Sequence, residues 1–242
     1  MMFKILRYEL KNIPLLIYYD DGIPSTAIKA CILFYHGFKG SKESNQRELE
    51  SLASHGYLAV GVDAFGHGAR RYADFEQRFT ADSPSTDREF IHVVNRTATE
   101  VPFIVDHLTR EYSIGHLGVA GISMGGFITY AAILHEPRIK TAVSILGSPH
   151  WVADPMHSPD HFIEKFSSVH LLSMNAGKDA WVPSHYARDF HIVLGEHFAD
   201  YAKRFNFVEY PNSGHFMDDA DWKLCWARAL NWFEGHISTS IT

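Results

Sequence analysis

Three residues in this chain are of the types that together perform acyl transfer. Ser123 stands in Gly121-Ile122-Ser123-Met124-Gly125-Gly126, a G-x-S-x-G run between an apolar stretch and a helical pattern. Asp179 stands in Gly177-Lys178-Asp179-Ala180-Trp181-Val182-Pro183, and His215 in Asn212-Ser213-Gly214-His215-Phe216. A serine hydroxyl is a poor nucleophile at neutral pH. It becomes competent when a sharp strand-to-helix turn lifts its oxygen toward a histidine base. Histidine as a residue type titrates at about 6.5 in water, so it can take that proton and return it to a leaving group. An aspartate beside the ring selects its tautomer and stabilises its cation. These residues predict attack of Ser123 on a carbonyl, with His215 as base and Asp179 as its orienting acid.

A tetrahedral intermediate also needs donors for its oxygen. Met124 opens the predicted helix, where backbone N–H groups are free and the helix field is positive. His36-Gly37-Phe38 follows another predicted strand, and the N–H of Phe38 is the expected second donor. Removing one such donor costs about 3–4 kcal/mol of barrier in comparable sites.

Elements must bring these distant residues together. Phe3 to Leu10 and Pro14 to Asp20 read as a β-ribbon turning at Lys11-Asn12. Ala30–Tyr35, Tyr57–Val62, Ile114–Ala120, Thr141–Leu146, Val169–Asn175 and Asn206–Tyr210 are short apolar runs, as expected of strands covered on both faces. Helical patterns fill Ser44–His55, the stretch around Val101, Ile104, Val105 and Leu108, Phe127–His135, Ser184–Tyr201 and Asp218–Gly235. Residues 69–90, with Arg70, Arg71, Asp74, Glu76, Arg78 and a Ser-Pro-Ser turn, read as polar and irregular. Strand and helix alternate from residue 30 onward, which implies a mostly parallel sheet with helices on both faces. Ser123, Asp179 and His215 each follow a predicted strand, and ligands of open α/β sheets sit beyond those ends. No linker divides the chain, so residues 1–242 are read as one domain. Residues 148–168 form an insertion with room for a small lid.

The bulk numbers exclude several alternatives. A chain of 242 residues with a net charge of −6 and no basic run argues against nucleic-acid binding. No run of eighteen apolar residues exists, and the charged N-terminus does not resemble a signal peptide, so no membrane role and a cytoplasmic location are expected. Cys31 and Cys225 are read as buried thiols rather than a disulfide framework. The chain has sixteen histidines, but no H-E-x-x-H or Cys/His cluster among them. His185, Asp189, His191 and His197 therefore read as a surface group, and no metal or cofactor is expected. Asp154 is a rival to Asp179, but it lies in the insertion; Asp218 and Asp219 suit capping of the last helix. His36 is expected to shape the Phe38 loop rather than to transfer protons. Arg70 and Arg71 read as a solvated loop more readily than as a binder of acidic substrates. Phe38, Phe65, Trp151, Trp181 and Phe216 suggest an apolar pocket.

The pieces His36-Gly37-Phe38, Asp63-Ala64-Phe65-Gly66-His67-Gly68, Gly121 to Gly126, Gly177-Lys178-Asp179 and Ser213-Gly214-His215 resemble the α/β-hydrolase superfamily over residues 15–235. Within it the chain is similar to small serine carboxylesterases of the dienelactone-hydrolase and prolyl-oligopeptidase-like branch. It differs from dienelactone hydrolases in carrying serine, not cysteine, at position 123. The resemblance implies an α/β-hydrolase fold with an eight-stranded sheet and a minimal lid, and hydrolysis through an acyl-enzyme. Small, short-acyl esters are the expected substrates. A peptidase or thioesterase using the same residues, and a non-catalytic ligand-binding protein on this fold, are the alternatives.

Overall fold

In a computed structural model describing residues 2–24, 28, 30–80 and 84–237, the apolar runs pair into one eight-stranded sheet. The strands are β1 (Phe3–Leu10), β2 (Ile13–Asp20), β3 (Cys31–Tyr35), β4 (Leu58–Val62), β5 (Leu117–Ile122), β6 (Ile139–Ile145), β7 (His170–Ala176) and β8 (Phe205–Tyr210). Their order is β1-β2-β4-β3-β5-β6-β7-β8. β1 and β2 are antiparallel, as are β2 and β4; every other neighbour pair is parallel. The ribbon turns at Lys11 and Asn12, both at positive φ (47° and 70°), as a two-residue hairpin that matches strand twist requires.

The helices are α1 (Gln46–Ser54), α2 (Phe75–Arg78), α3 (Pro84–Ala98), α4 (Val101–Glu111), α5 (Met124–His135), α6 (Ser184–His197), α7 (Tyr201–Arg204) and α8 (Asp219–His236). Alternation along each strand feeds two cores. Leu33, Tyr35, Val60 and Val119 face the layer of α3, α4, α5 and α6, while Ile32, Phe34, Ala59 and Ala120 face that of α1 and α8. Asp218 caps α8 by accepting the N–H groups of Ala220 and Asp221.

Two expectations are corrected. The described residues of 69–90 are not wholly irregular: a short 3-10 turn (Gly68–Arg70), α2 and the first half of α3 lie among them. The polar start of α3 hides a buried face of Ile91, Val94 and Ala98, spaced as a helix requires. Of the expected Ser-Pro-Ser turn, Ser83 lies outside the described residues, and Pro84 and Ser85 begin α3. The helix expected over Ser184–Tyr201 stops at His197 and resumes as α7. The insertion 148–168 is held by three 3-10 turns, with Trp151 and Phe166 buried beneath it. Among the described residues no helix is long and apolar enough to cross a membrane.

Candidate active site

Ser123 sits between the end of β5 and the first residue of α5, with φ 56° and ψ −116°. That strained backbone persists because its surroundings overdetermine it. Its N–H donates to the carbonyl of Ile145 (2.8 Å), and its own carbonyl receives the N–H groups of Gly126 and Phe127. Gly121 and Gly125 permit the close approach. A Cβ on Gly125 would overlap the carbonyl oxygen of Tyr35, and one on Gly121 would overlap the backbone of Gly125.

The structure brings the three sequence-predicted residues into one chain of contacts. Ser123 Oγ lies 2.9 Å from His215 Nε2, and His215 Nδ1 lies 2.6 Å from Asp179 Oδ2. The other Asp179 oxygen, Oδ1, receives the N–H groups of Trp181 and Val182, each at 2.9 Å. Burial alone would raise the Asp179 pKa; the hydrogen bonds from His215, Val182 and Trp181 outweigh it and hold this carboxyl below its ordinary value. The Asp179 side chain is wholly buried, so its charge is directed at His215 rather than spent on water. Asp154, the rival, instead meets His157 Nδ1 at 2.9 Å in the insertion.

The loop after β3 abuts the nucleophile: a Cβ on Gly37 would stand 3.7 Å from Ser123 Cβ. His36 holds that loop. Its Nδ1 meets the Gly37 carbonyl at 2.8 Å, and its Nε2 accepts the N–H of Ala64 at 3.0 Å. Burial lowers the His36 pKa, which suits this neutral arrangement. Lys42 and Asp63 tie the same loop to β4, with Nζ 3.1 Å from Oδ2. Met124 begins α5, so its N–H lacks an intrahelical acceptor and lies next to Ser123.

A cavity of about 350 Å³ opens beside Ser123 and His215. Phe38, Phe79, Phe90, Phe127, Trp151, Trp181, Val182 and Tyr186 are among its lining residues.

Residues 26–196 match the family described as serine aminopeptidase, S33. The chain belongs to this family. It is therefore a hydrolase with the α/β-hydrolase fold. The S33 chain is 26% identical over 237 residues to YitV of Bacillus subtilis (strain 168), covering 85% of this chain and 89% of the relative. It is 26% identical over 154 residues to Esterase YjfP of Escherichia coli (strain K12), covering 63% of this chain and 58% of that one. TT1662 of Thermus thermophilus shares the fold, with a TM-score of 0.81, 22% identity and coverage of 97% and 99%.

The pocket of this S33-family hydrolase corrects parts of the sequence reading. Trp151 and Trp181 line it, but Phe65 and Phe216 are not among its lining residues. Phe65 packs against Tyr72 and His92 and lies under Arg70 and Arg96. Phe216 is 81% exposed and packs edge-on against Trp181. Arg70 is not solvated: it pairs with both oxygens of Glu100 (3.0 and 2.7 Å) and donates to the Asp63 carbonyl. Arg71 stacks over Phe75 and pairs with Glu76. His191, expected on the surface, is buried between Ser173 Oγ (2.8 Å) and Tyr201 (2.9 Å). His67 is buried with Nδ1 3.1 Å from the Phe65 carbonyl, and burial pushes its pKa down to about 4. Among the described residues no group of three or more His, Cys, Asp or Glu is placed to hold a metal.

Sequence reasoning missed Phe79, Phe90, Phe127, His150 and Tyr186 in the cavity wall. The signal for the first two was present: Phe75 and Phe79 are four apart, and Phe90 precedes Val94 by four.

Proposed function

We propose that this chain is a serine-dependent carboxylic ester hydrolase. The observation that carries the reading is the contact chain Ser123–His215–Asp179, at 2.9 and 2.6 Å, opening on an apolar cavity of about 350 Å³. The similarity to Esterase YjfP supports the ester bond as the target.

Ser123 Oγ attacks the ester carbonyl carbon as its proton passes to His215 Nε2. The carbonyl oxygen becomes an oxyanion, received by the N–H groups of Phe38 and Met124. Collapse expels the alcohol oxygen, which takes the proton from His215, and leaves the acyl group on Ser123. Water then attacks the acyl carbon, His215 takes its proton, and the carboxylic acid leaves with Ser123 restored. Asp179 keeps Nδ1 protonated, so that Nε2 faces Ser123 as an acceptor. No cofactor enters, and the size of the cavity favours small acyl groups over long chains.

Peptide hydrolysis by the same residues is the second reading. The family description supports it, as does the exposed Asp87 carboxylate in the cavity wall, which could meet a substrate ammonium. Fluorophosphonate labelling and an acyl-length series of chromogenic esters, beside amino-acid anilides, test both. Ester turnover should fall about a thousandfold or more in Ser123→Ala. Labelling elsewhere, or unchanged turnover, would overturn the mechanism; anilides exceeding esters would favour the peptidase.

A further inference from the structure

We infer that the acyl group this site accepts carries an aromatic ring, as in arylalkanoic esters; this rests on the reading of Ser123 as an ester-attacking nucleophile. Four phenylalanines that line the cavity form one edge-to-face network. Phe38 meets Phe79 at 4.8 Å and 73°, and Phe90 at 6.0 Å and 61°; Phe90 meets Phe127 at 5.2 Å and 89°. Phe38, Phe90 and Phe127 are only half-buried, so the network remains open to a guest. An aromatic ring presents a positive edge and a negative face, and a guest ring can extend this herringbone. A saturated ring of the same size fills the space without that complementarity.

The chemistry of the site assigns the network to the acyl side. His215 must protonate the leaving alcohol, so the alcohol leaves beside the His215 ring, which Trp181 approaches at 5.0 Å. The oxyanion points at the N–H groups of Phe38 and Met124. The acyl group is assigned to the wall of Phe79, Phe90 and Phe127, which lines the same cavity as Ser123, with Phe127 one helical turn beyond Ser123.

The test is a matched pair of 4-nitrophenyl esters, phenylacetate and cyclohexylacetate, with acetate as reference. Rates are normalised to hydroxide-catalysed hydrolysis of each ester. The expected kcat/KM ratio of phenylacetate to cyclohexylacetate is about ten, the factor that one or two edge-to-face contacts supply. Phe90→Leu and Phe127→Leu, which keep an apolar side chain, should each move the ratio toward one. A wild-type ratio of one or less overturns the inference, as does a ratio unmoved in both variants. Acetate turnover that depends on Ser123 without aryl preference would sink this inference alone. Absence of Ser123-dependent turnover on every ester would sink the parent reading as well.

Discussion

Asp179 grips His215 with one oxygen and its own loop with the other: Oδ2 lies 2.6 Å from His215 Nδ1, while Oδ1 takes the N–H groups of Trp181 and Val182. The carboxylate is thus aimed before any substrate arrives. In Asp179→Asn the retained oxygen can still take both amides, which turns the new NH₂ toward Nδ1. That selects the wrong imidazole tautomer and leaves Nε2 unable to accept the serine proton. We expect kcat to fall by about 10⁴, with an unchanged circular dichroism spectrum. A loss under tenfold would remove Asp179 from the proposed relay.

Acid should destabilise the protein before it reaches Asp179. A carboxyl held below its ordinary value stabilises the fold above that ordinary value, and its contribution fades only as pH falls through the depressed one. Buried His67 and His191 act sooner. Burial pushes their pKa values down to about 4 and about 3, so both stay neutral in the fold while the unfolded chain protonates below about 6.5. Their stabilising contribution is full above that value and is lost as pH falls from it toward 4 and 3. Each histidine should contribute a slope of about 1.4 kcal/mol per pH unit within its window. Urea unfolding at pH 7.5, 6 and 5 measures this. His191→Gln should flatten the slope by about one proton; equal stability at pH 7.5 and 5 would refute the account.

The turn at Ser123 leaves no room for a methyl group. Gly125→Ala places a Cβ on the Tyr35 carbonyl, a backbone atom that cannot rotate away. The loss should be about 3–5 kcal/mol, lowering the melting temperature by about 10 °C, and fluorophosphonate labelling should weaken with it. Full labelling and an unshifted melt would mean that the elbow accommodates the change.

Neighbouring arginines should behave differently. Arg70 and Glu100 form a pair with side chains only 13% and 12% exposed, so Arg70→Ala strands a carboxylate and should cost about 3 kcal/mol. Arg71 pairs with Glu76, whose side chain is 72% exposed, and Arg71→Ala should cost under about 1 kcal/mol. Chemical denaturation of the two variants side by side decides. Equal losses would contradict the contrast.

Much of the frame was legible along the chain. Strands covered on both faces leave continuous apolar runs, so β3 to β7 stood out, and residues placed just after the strands converge at the same end of the sheet. Ser123, Asp179 and His215 therefore group together from their places along the chain alone. α3 was hidden because its first turn is polar and its buried positions are spread among Asp87, Arg88, Glu89 and Arg96. Phe65 and Phe216 followed catalytic-looking motifs but turned elsewhere, since proximity in sequence does not set the direction of a side chain.

The alternating sheet, the order Ser–Asp–His and the glycines that let a strand turn into a helix are written along the chain, because these are local demands of periodicity and sterics. Which aromatic rings face the cavity, the locking of Arg70 to Glu100 and the burial of His191 emerge only once the chain has folded. Those outcomes depend on contacts between residues far apart in the chain. Phe38, Phe90 and Phe127 become one wall only when β3, α3 and α5 pack together, and no local pattern encodes that meeting.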